Sequence, residues 1–383
     1  MWRFTFSVLA LLPVGQASAG VNDILIGLDA KIVYDANGPV RSGAGRDAVL
    51  VMDVTNPAHP RVRASLPLTN SLVGPPTNLQ ITPDGKIGLV ANSIVNNLDG
   101  TVWKEAPDDK LFVIDLAANP PKLRDTLTVG KQPSGLAISR KGDLALIANR
   151  AGKSVSVLTI QGDSVKVVGE VALPNPAAAV SLTPDGRRAF VAFNTANKVG
   201  VLAIDGTKVT YDPALDIPAG LNPYNIDMTP NGRFAAVSST GAGMNNSDAV
   251  VMIDAIGPHP HVAQVMTPGI GPEGLAISPD GKWAVTPLLL GTAAKYNDWF
   301  YTKAGAVALM SVGRDGQLTP LNTVKAGGLP EGVAFSPRGD YVYVGNYHDR
   351  NLQVLHIAGG KLVDTGVKLD LPGQPASMRA LAR

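Results

Sequence analysis

Apolar and polar positions alternate in short runs along almost the whole chain, and the runs return in a fixed order. The stretch "LPEGVAFSPRGDYVYVGN", Leu329 to Asn346, is representative: a loop entry, a strand in which Val333 and Phe335 alternate with small residues, a turn, and a second apolar strand. Alternation with period 2 over so few residues predicts strands, not helices. Five relatives precede it: "PPTNLQITPDGKIGLVANS" from Pro75, "QPSGLAISRKGDLALIANR" from Gln132, "PAAAVSLTPDGRRAFVAFN" from Pro176, "NPYNIDMTPNGRFAAVSST" from Asn222 and "GPEGLAISPDGKWAVTPLL" from Gly271. Their turn glycines, Gly85, Gly142, Gly186, Gly232, Gly281 and Gly339, stand 57, 44, 46, 49 and 58 residues apart. A repeat of this length carrying four strands is the signature of a β-propeller.

Within each unit the crowded side of the first strand takes almost no side chain, as expected of a strand near the propeller axis. Pro-Asp-Gly or a variant then supplies the turn. Third strands recur as "KLFVIDL", "SVSVLTI", "KVGVLAI", "AVVMIDA", "AVALMSV" and "NLQVLHI". Six units leave both termini over, and the two remainders are complementary. "GQPASMRALAR" matches only a first strand, whereas residues 23 to 67 match strands two to four. Joined, they close a ring with no free sheet edge. The expected fold is therefore all-β: a seven-bladed propeller of four-stranded antiparallel blades, one blade closed by N- and C-terminal strands. Six blades with frayed ends is the alternative.

The first residues, "MWRFTFSVLALLPVGQASAG", combine an early cation, a short apolar run and a small-x-small pattern at Ala17-Ser18-Ala19. This predicts an export signal over residues 1–19, a single propeller domain over 20–383, and a periplasmic or secreted protein. No later stretch reads as a transmembrane segment. The absence of cysteine excludes disulfides, zinc-thiolate sites and thioether-linked haem. With 17% charged residues and a net charge of +2, no concentrated basic stripe points to nucleic acid. G-x-S-x-G, Walker and dinucleotide motifs are also missing.

"GLAISRKGDLALIANRAGKSVSVLTI" and "GVAFSPRGDYVYVGNYHDRNLQVLHI" make the chain resemble the YVTN-type repeat propellers, related to the lactonase-like seven-bladed propellers. The resemblance spans the mature chain and rests on turn and packing residues. It implies the fold, together with a range of activities: lactone hydrolases similar to 6-phosphogluconolactonase, subunits of amine dehydrogenases, and exported proteins of unassigned role. Fold alone does not choose among them.

In a four-stranded meander the long insertions, near Ser93 to Asp109, Thr240 to Asp248, Leu288 to Lys303 and Asn346 to Arg350, fall on one face, and binding is expected there. His59, His259 and His261 fall on the tight-turn face and read as turn residues; His356 reads as structural. The starts of the innermost strands carry polar pairs that can converge on the channel mouth: Thr77-Asn78, Ser134-Gly135, Tyr224-Asn225, Glu273-Gly274 and Glu331-Gly332. Glu273 and Glu331 are candidate general bases for lactone hydrolysis, with Arg150, Arg379 or His348 as donors to the developing oxyanion. The competing reading makes each glutamate a strand cap or the partner of an arginine. Asn78, Arg150, Tyr224, Asn225 and Trp299 are the candidate binding residues. Distant propellers with a central calcium use a similar Glu/Asn set, which makes Asn78, Asn225, Glu273 and Glu331 candidate calcium ligands by residue type. No other cofactor is implied. Trp299, Phe300 and Tyr301 read as a plug over the channel or an anchor for a partner. The expected role is to present a binding face to a small molecule or protein, with a lactonase-like hydrolase or an accessory subunit of an exported dehydrogenase as alternatives.

Overall fold

Six inner hairpins are closed by the same local device, a Ser or Thr just before the Pro-Asp-Gly-type turn. In the computed structural model, which describes residues 22–43, 45–243 and 245–383, these hydroxyls accept the N–H that opens the second strand. Thr82, Ser139, Thr183, Thr229, Ser278 and Ser336 do so at 2.9–3.1 Å. The six turn glycines lie at φ of 69–77°, a region open to glycine at no steric cost. The export signal expected over residues 1–19 lies outside the described residues.

The hairpins build a seven-bladed propeller. Blade 1 joins the two ends of the chain: Gln374–Arg379 pairs with Asp23–Asp29, followed outward by Ala48–Asp53 and Arg61–Leu66. Blades 2 to 7 start at the innermost strands Leu79–Ile81, Pro133–Ile138, Ala177–Leu182, Pro223–Met228, Ala276–Ile277 and Pro330–Phe335. All blade strands pair antiparallel; in blade 4 a short Ile217–Pro218 segment continues the outer edge.

Each blade alternates its apolar side chains between two neighbours, so the apolar clusters lie between blades. Leu146 and Val157 of blade 3 pack with Val180 and Val191 of blade 4, and Ile26 and Leu50 of blade 1 with Tyr343 and Val354 of blade 7. That second cluster ties the chain's ends to the ring. Burial of each such aliphatic side chain stabilises by about 1.5–3 kcal/mol.

Near the axis the strands leave no room for side chains. A Cβ on Gly135 would stand 2.7 Å from Ala179 Cα, one on Gly274 2.5 Å from the Glu331 carbonyl oxygen, and one on Gly332 2.7 Å from Met378. These are steric glycines, not turn glycines.

The insertions gather on one face. Ile87–Asp99 and Val102–Asp115 run on beyond blade 2 as a long two-stranded ribbon. A separate hairpin, Ile32–Asp35 with Gly38–Arg41, rises from blade 1. Arg41 pairs with Glu105 of the ribbon at 2.6 Å, and Tyr296 N donates to Ala36 O at 3.1 Å, so hairpin, ribbon and the 289–303 insertion are joined. Among the described residues no helix is long and apolar enough to cross a membrane.

Gly135→Ala is expected to destabilise by about 1–3 kcal/mol through overpacking at the axis. Gly169→Ala, where the nearest atom to the new methyl is 4.0 Å away, is expected to change stability by less than about 0.5 kcal/mol. Urea unfolding of both variants checks the contrast, and equal effects would dismiss the axial constraint.

Candidate functional site

The innermost strands are entered by a left-handed residue followed by proline. Gln132, Asn222, Gly271 and Leu329 adopt φ of 50–60°, each just before the proline that opens blades 3, 5, 6 and 7. Leu329 is the notable one, since a bulky side chain rarely accepts this conformation. The next residue after each proline is polar, and the entry geometry delivers it to the channel mouth.

Glu273 and Glu331 occupy equivalent positions in adjacent blades, and the close approach of Gly274 to the Glu331 carbonyl sets their side chains against each other. Their carboxyls are within hydrogen-bonding reach. Burial pushes both above the usual carboxylate range. Glu331 is raised further by the charge of Glu273 and by donating its proton to it. Glu273, which accepts that proton and faces Arg150, is pushed up to about 7. Both carboxyls therefore keep their protons to higher pH than free glutamates do. Glu331 is only 2% exposed and its Oε2 has no partner among the described residues, whereas Glu273 is half-buried.

Arg150 comes from the end of the second strand of blade 3. Its guanidinium lies 5.7 Å from the centre of the Tyr224 ring, and its Nη1 has no partner among the described residues. Tyr224 follows the entry proline of blade 5, and its hydroxyl is raised by burial, with Arg150 opposing and the two glutamates adding. Tyr34, from the blade 1 hairpin, is likewise raised by burial and then by Glu331 and Glu273. Beside Tyr34, at 5.0 Å between ring centres, stands His348, which burial holds below the usual imidazole range; its Nε2 has no partner among the described residues. Arg150, Tyr224, Glu273, Tyr34 and His348 are each partly exposed, whereas Glu331 is buried.

A roof covers this cluster, pinned by a buried ion group. Lys31 is fully buried, and its Nζ donates to Asp47 and to the Asn70 carbonyl and lies 3.3 Å from Asp29. Asp29 in turn accepts Leu72 N at 2.7 Å, and Asp47 accepts Asn70 N at 3.2 Å. The segment 70–74 is thereby laid across the channel mouth. Leu72 packs with Ile32, Ile94, Leu329 and Tyr347, and the Gly74 N–H faces the Tyr224 hydroxyl.

The other expected residues fall elsewhere. Arg379 lies deeper, in the tight-turn half of the channel, where it donates to Leu136 O at 2.7 Å and to Asp227 at 3.4 Å. Asn225 Oδ1 already accepts both Thr77 Oγ1 and Ile226 N; Asn78 Nδ2 donates to Asn70 Oδ1 and Ala91 O, while its Oδ1 has no partner among the described residues. Among the described residues no three His, Asp, Glu or Cys side chains gather as a metal cluster. Trp299 stands 85% exposed at the outer edge of the roof, edge-on to Phe300 at 5.4 Å. Tyr34, Tyr347, Lys31 and the 70–74 segment lay outside the repeat and were not anticipated; a lone lysine between Asp29 and Asp47 in an apolar context was the available signal.

These features define a seven-bladed β-propeller. A family model described as "Lactonase, 7-bladed beta-propeller" matches residues 292–379, the last part of the ring. In structure the chain is similar to the periplasmic gluconolactonase of Pseudomonas aeruginosa, with 19% identity, TM-score 0.65, and 94% of this chain and 99% of that one covered. It is similar also to a candidate 6-phosphogluconolactonase of Bacteroides fragilis, with 18% identity, TM-score 0.67 and coverage of 96% and 99%. Hydrazine synthase of Kuenenia stuttgartiensis is matched with 16% identity, TM-score 0.60 and coverage of 81% and 90%. At these identities the likeness concerns the fold. No curated protein matches the chain in sequence.

Two outcomes follow. Lys31→Ala leaves Asp29 and Asp47 buried without a cation and is expected to cost about 3–5 kcal/mol in denaturant unfolding; a cost below about 1 kcal/mol would remove its role as the pin of the roof. Glu331 and Glu273 bind their protons more tightly folded than unfolded. Their contribution to stability is thus fully present below the unfolded value of about 4.3 and is lost as pH rises through their raised folded values. Glu331→Gln, which cannot ionise, is expected to gain on the order of 1 kcal/mol over the parent at pH 8 and nothing at pH 4, as read from melts at the two pH values.

Proposed function

We propose that the chain is a lactone hydrolase acting at the loop-rich mouth of the channel. The observation that carries the reading is the Glu273–Glu331 pair beside the unpartnered Nη1 of Arg150. The family match over residues 292–379 and the lactonase names of two structural neighbours support a lactone as the substrate class.

In this mechanism Glu273 takes a proton from water as the oxygen attacks the lactone carbonyl. The carbonyl π electrons move to the carbonyl oxygen, and Arg150 Nη1 donates to the resulting oxyanion. Collapse of the tetrahedral intermediate breaks the ring C–O bond, and the departing alkoxide takes the proton held by Glu331. Water and lactone become one hydroxy acid, and proton transfer from Glu273 to Glu331 restores the pair. Tyr34 and Tyr224 flank the ring of the substrate, and the roof over residues 70–74 limits entry of bulk water. The proposal extends to cell placement: residues 1–19 direct export, and residues 20–383 act as one propeller in the periplasm or outside the cell.

A second reading, docking of a protein partner on the loop-rich face, is favoured by the exposure of Trp299. Trp299→Ala separates the two, because it weakens capture of a partner while leaving lactone turnover within about twofold.

A pH-stat assay over γ- and δ-lactones is expected to find turnover whose kcat/KM falls tenfold per pH unit below about 7, as Glu273 takes its proton. Glu273→Gln is expected to lose at least about 10³-fold, and Arg150→Lys about 10²-fold in kcat. Full activity of Glu273→Gln, or no acceleration of any lactone over buffer, would end the hydrolase reading.

A further inference from the structure

Insertions of three blades converge on the loop-rich face and enclose a cleft beside the channel mouth. Pro39 comes from the blade 1 hairpin, Asp248 from the start of the third strand of blade 5, and Leu289, Lys295, Asp298 and Phe300 from the blade 6 insertion. The cleft has a volume of about 330 Å³, within the ~300–1,000 Å³ of sites that take a small organic ligand. Tyr296 N donates to Ala36 O at 3.1 Å, Leu290 N to Ile270 O at 3.4 Å and Gly271 N to Asp248 Oδ2 at 3.3 Å, so the three insertions are bonded to one another. Leu289 and Ala293 also pack against the Leu72–Tyr347 cluster, and the cleft thus adjoins the roof. No side chain that lines it belongs to the Glu273–Glu331 site.

The wall is apolar and incompletely covered: Ile270, Leu289, Ala293 and Phe300 are each only half-buried. Against it stands Asp248, also half-buried. A Cβ on Gly241 would overlap the Asp248 carboxylate, so the glycine leaves the room that this carboxylate fills. Its one hydrogen bond among the described residues is the long one from Gly271 N. Burial raises its carboxyl above the usual range, the Gly271 N–H opposes this, and no cation offsets it. The charged lining is Asp248 and Asp298 against Lys295 alone; Asp298 accepts Lys295 N at 3.0 Å, and Lys295 is exposed. Neighbouring charges do not reverse this balance. Arg41 is paired with Glu105, Asp35 and Lys303 are exposed outside the lining, and the C-terminal Arg383 bonds Pro337 O at the tight-turn end. Among the described residues no third acid or histidine joins the two carboxylates as a metal cluster. An open apolar wall facing an uncompensated carboxylate is complementary to an organic cation.

We propose that this cleft binds a primary ammonium ion with a compact apolar body, the ammonium on Asp248 and the body against Ile270, Leu289 and Phe300. A compact charge with three N–H donors suits a carboxylate whose lone pairs are largely unused. A neutral analogue would cover Asp248 without supplying a counter-charge. An anion would meet like charge. The assignment does not rest on the hydrolase reading.

Calorimetric titration of the purified protein with 2-phenylethylammonium near neutral pH tests the assignment, with 2-phenylethanol, phenylacetate and ethylammonium as controls. Saturable one-to-one binding of 2-phenylethylammonium is expected, with no binding of the alcohol or the carboxylate, and with ethylammonium at least about tenfold weaker for want of the apolar body. Asp248→Asn, which keeps an acceptor for Gly271 N, is expected to weaken binding at least about tenfold. Lys295→Glu, at an exposed position that puts folding at no risk, is expected to tighten it about twofold, and Glu331→Gln to leave it unchanged. The proposal is overturned by absence of saturable binding at millimolar ammonium, by equal binding of the alcohol, by full affinity in Asp248→Asn, by weaker binding in Lys295→Glu, or by loss of binding in Glu331→Gln, which would move the ligand to the carboxyl pair.

Discussion

Seven innermost strands must share one axis, and where neighbouring strands touch, the space is too small for side chains. Gly135 against Ala179, Gly274 against the Glu331 carbonyl and Gly332 against Met378 mark where backbone touches backbone. Apolar side chains are expelled outward into the clusters between blades, which supply most of the stabilisation. What remains near the axis is main chain and whatever polar residue each strand carries at its entry. Crowding thus does two things at once. It makes the repeat small-residue-rich along its inner strand, and it forces neighbouring entry residues together regardless of their charge.

The Glu273–Glu331 pair is the consequence. Two carboxyls in water would separate; here the strand spacing of adjacent blades holds them in contact, and burial makes both hold their protons more tightly. The arrangement lowers stability at neutral pH, and such a cost persists only where surrounding structure enforces it. Enforcement comes from above as well as below. Lys31 with Asp29 and Asp47 fixes segment 70–74, which with Tyr347 and Leu329 covers the mouth. A buried ion group is a poor source of net stability, but breaking it is costly, and so it serves well to hold a loop in one place.

Most of the architecture was legible because it repeats. Alternation, turn glycines and complementary termini identified seven blades, and the joining of Gln374–Arg379 to Asp23–Asp29 is as expected. The recurrence of Ser or Thr before each turn is also visible in the sequence, and the hydroxyl's bond to the second strand explains it. The site was legible only at positions belonging to the repeat. Glu273, Glu331, Tyr224 and Arg150 meet because equivalent positions in a ring must meet. Tyr34, Tyr347 and Lys31 stand in insertions or beyond the strands, where no internal copy gives a register. Arg379 sits three residues beyond Ala376, the counterpart of Glu331, which at ~3.3 Å per residue puts it about 10 Å further down the channel.

That displacement divides the polar residues of the axis into two electrostatic units. At the loop-rich end two carboxyls face Arg150; at the tight-turn end the Arg379 guanidinium is paired with Asp227. The Thr77–Asn225 bond lies between them and is neutral, so neither unit neutralises the other directly. A ring scaffold permits this separation because the inner strands are irregular just after the entry proline: residues three positions apart, such as Tyr224 and Asp227, reach the same channel at different depths. The same blades can therefore present a carboxyl pair at one mouth and an arginine–aspartate pair at the other, with apolar packing between blades unchanged by either.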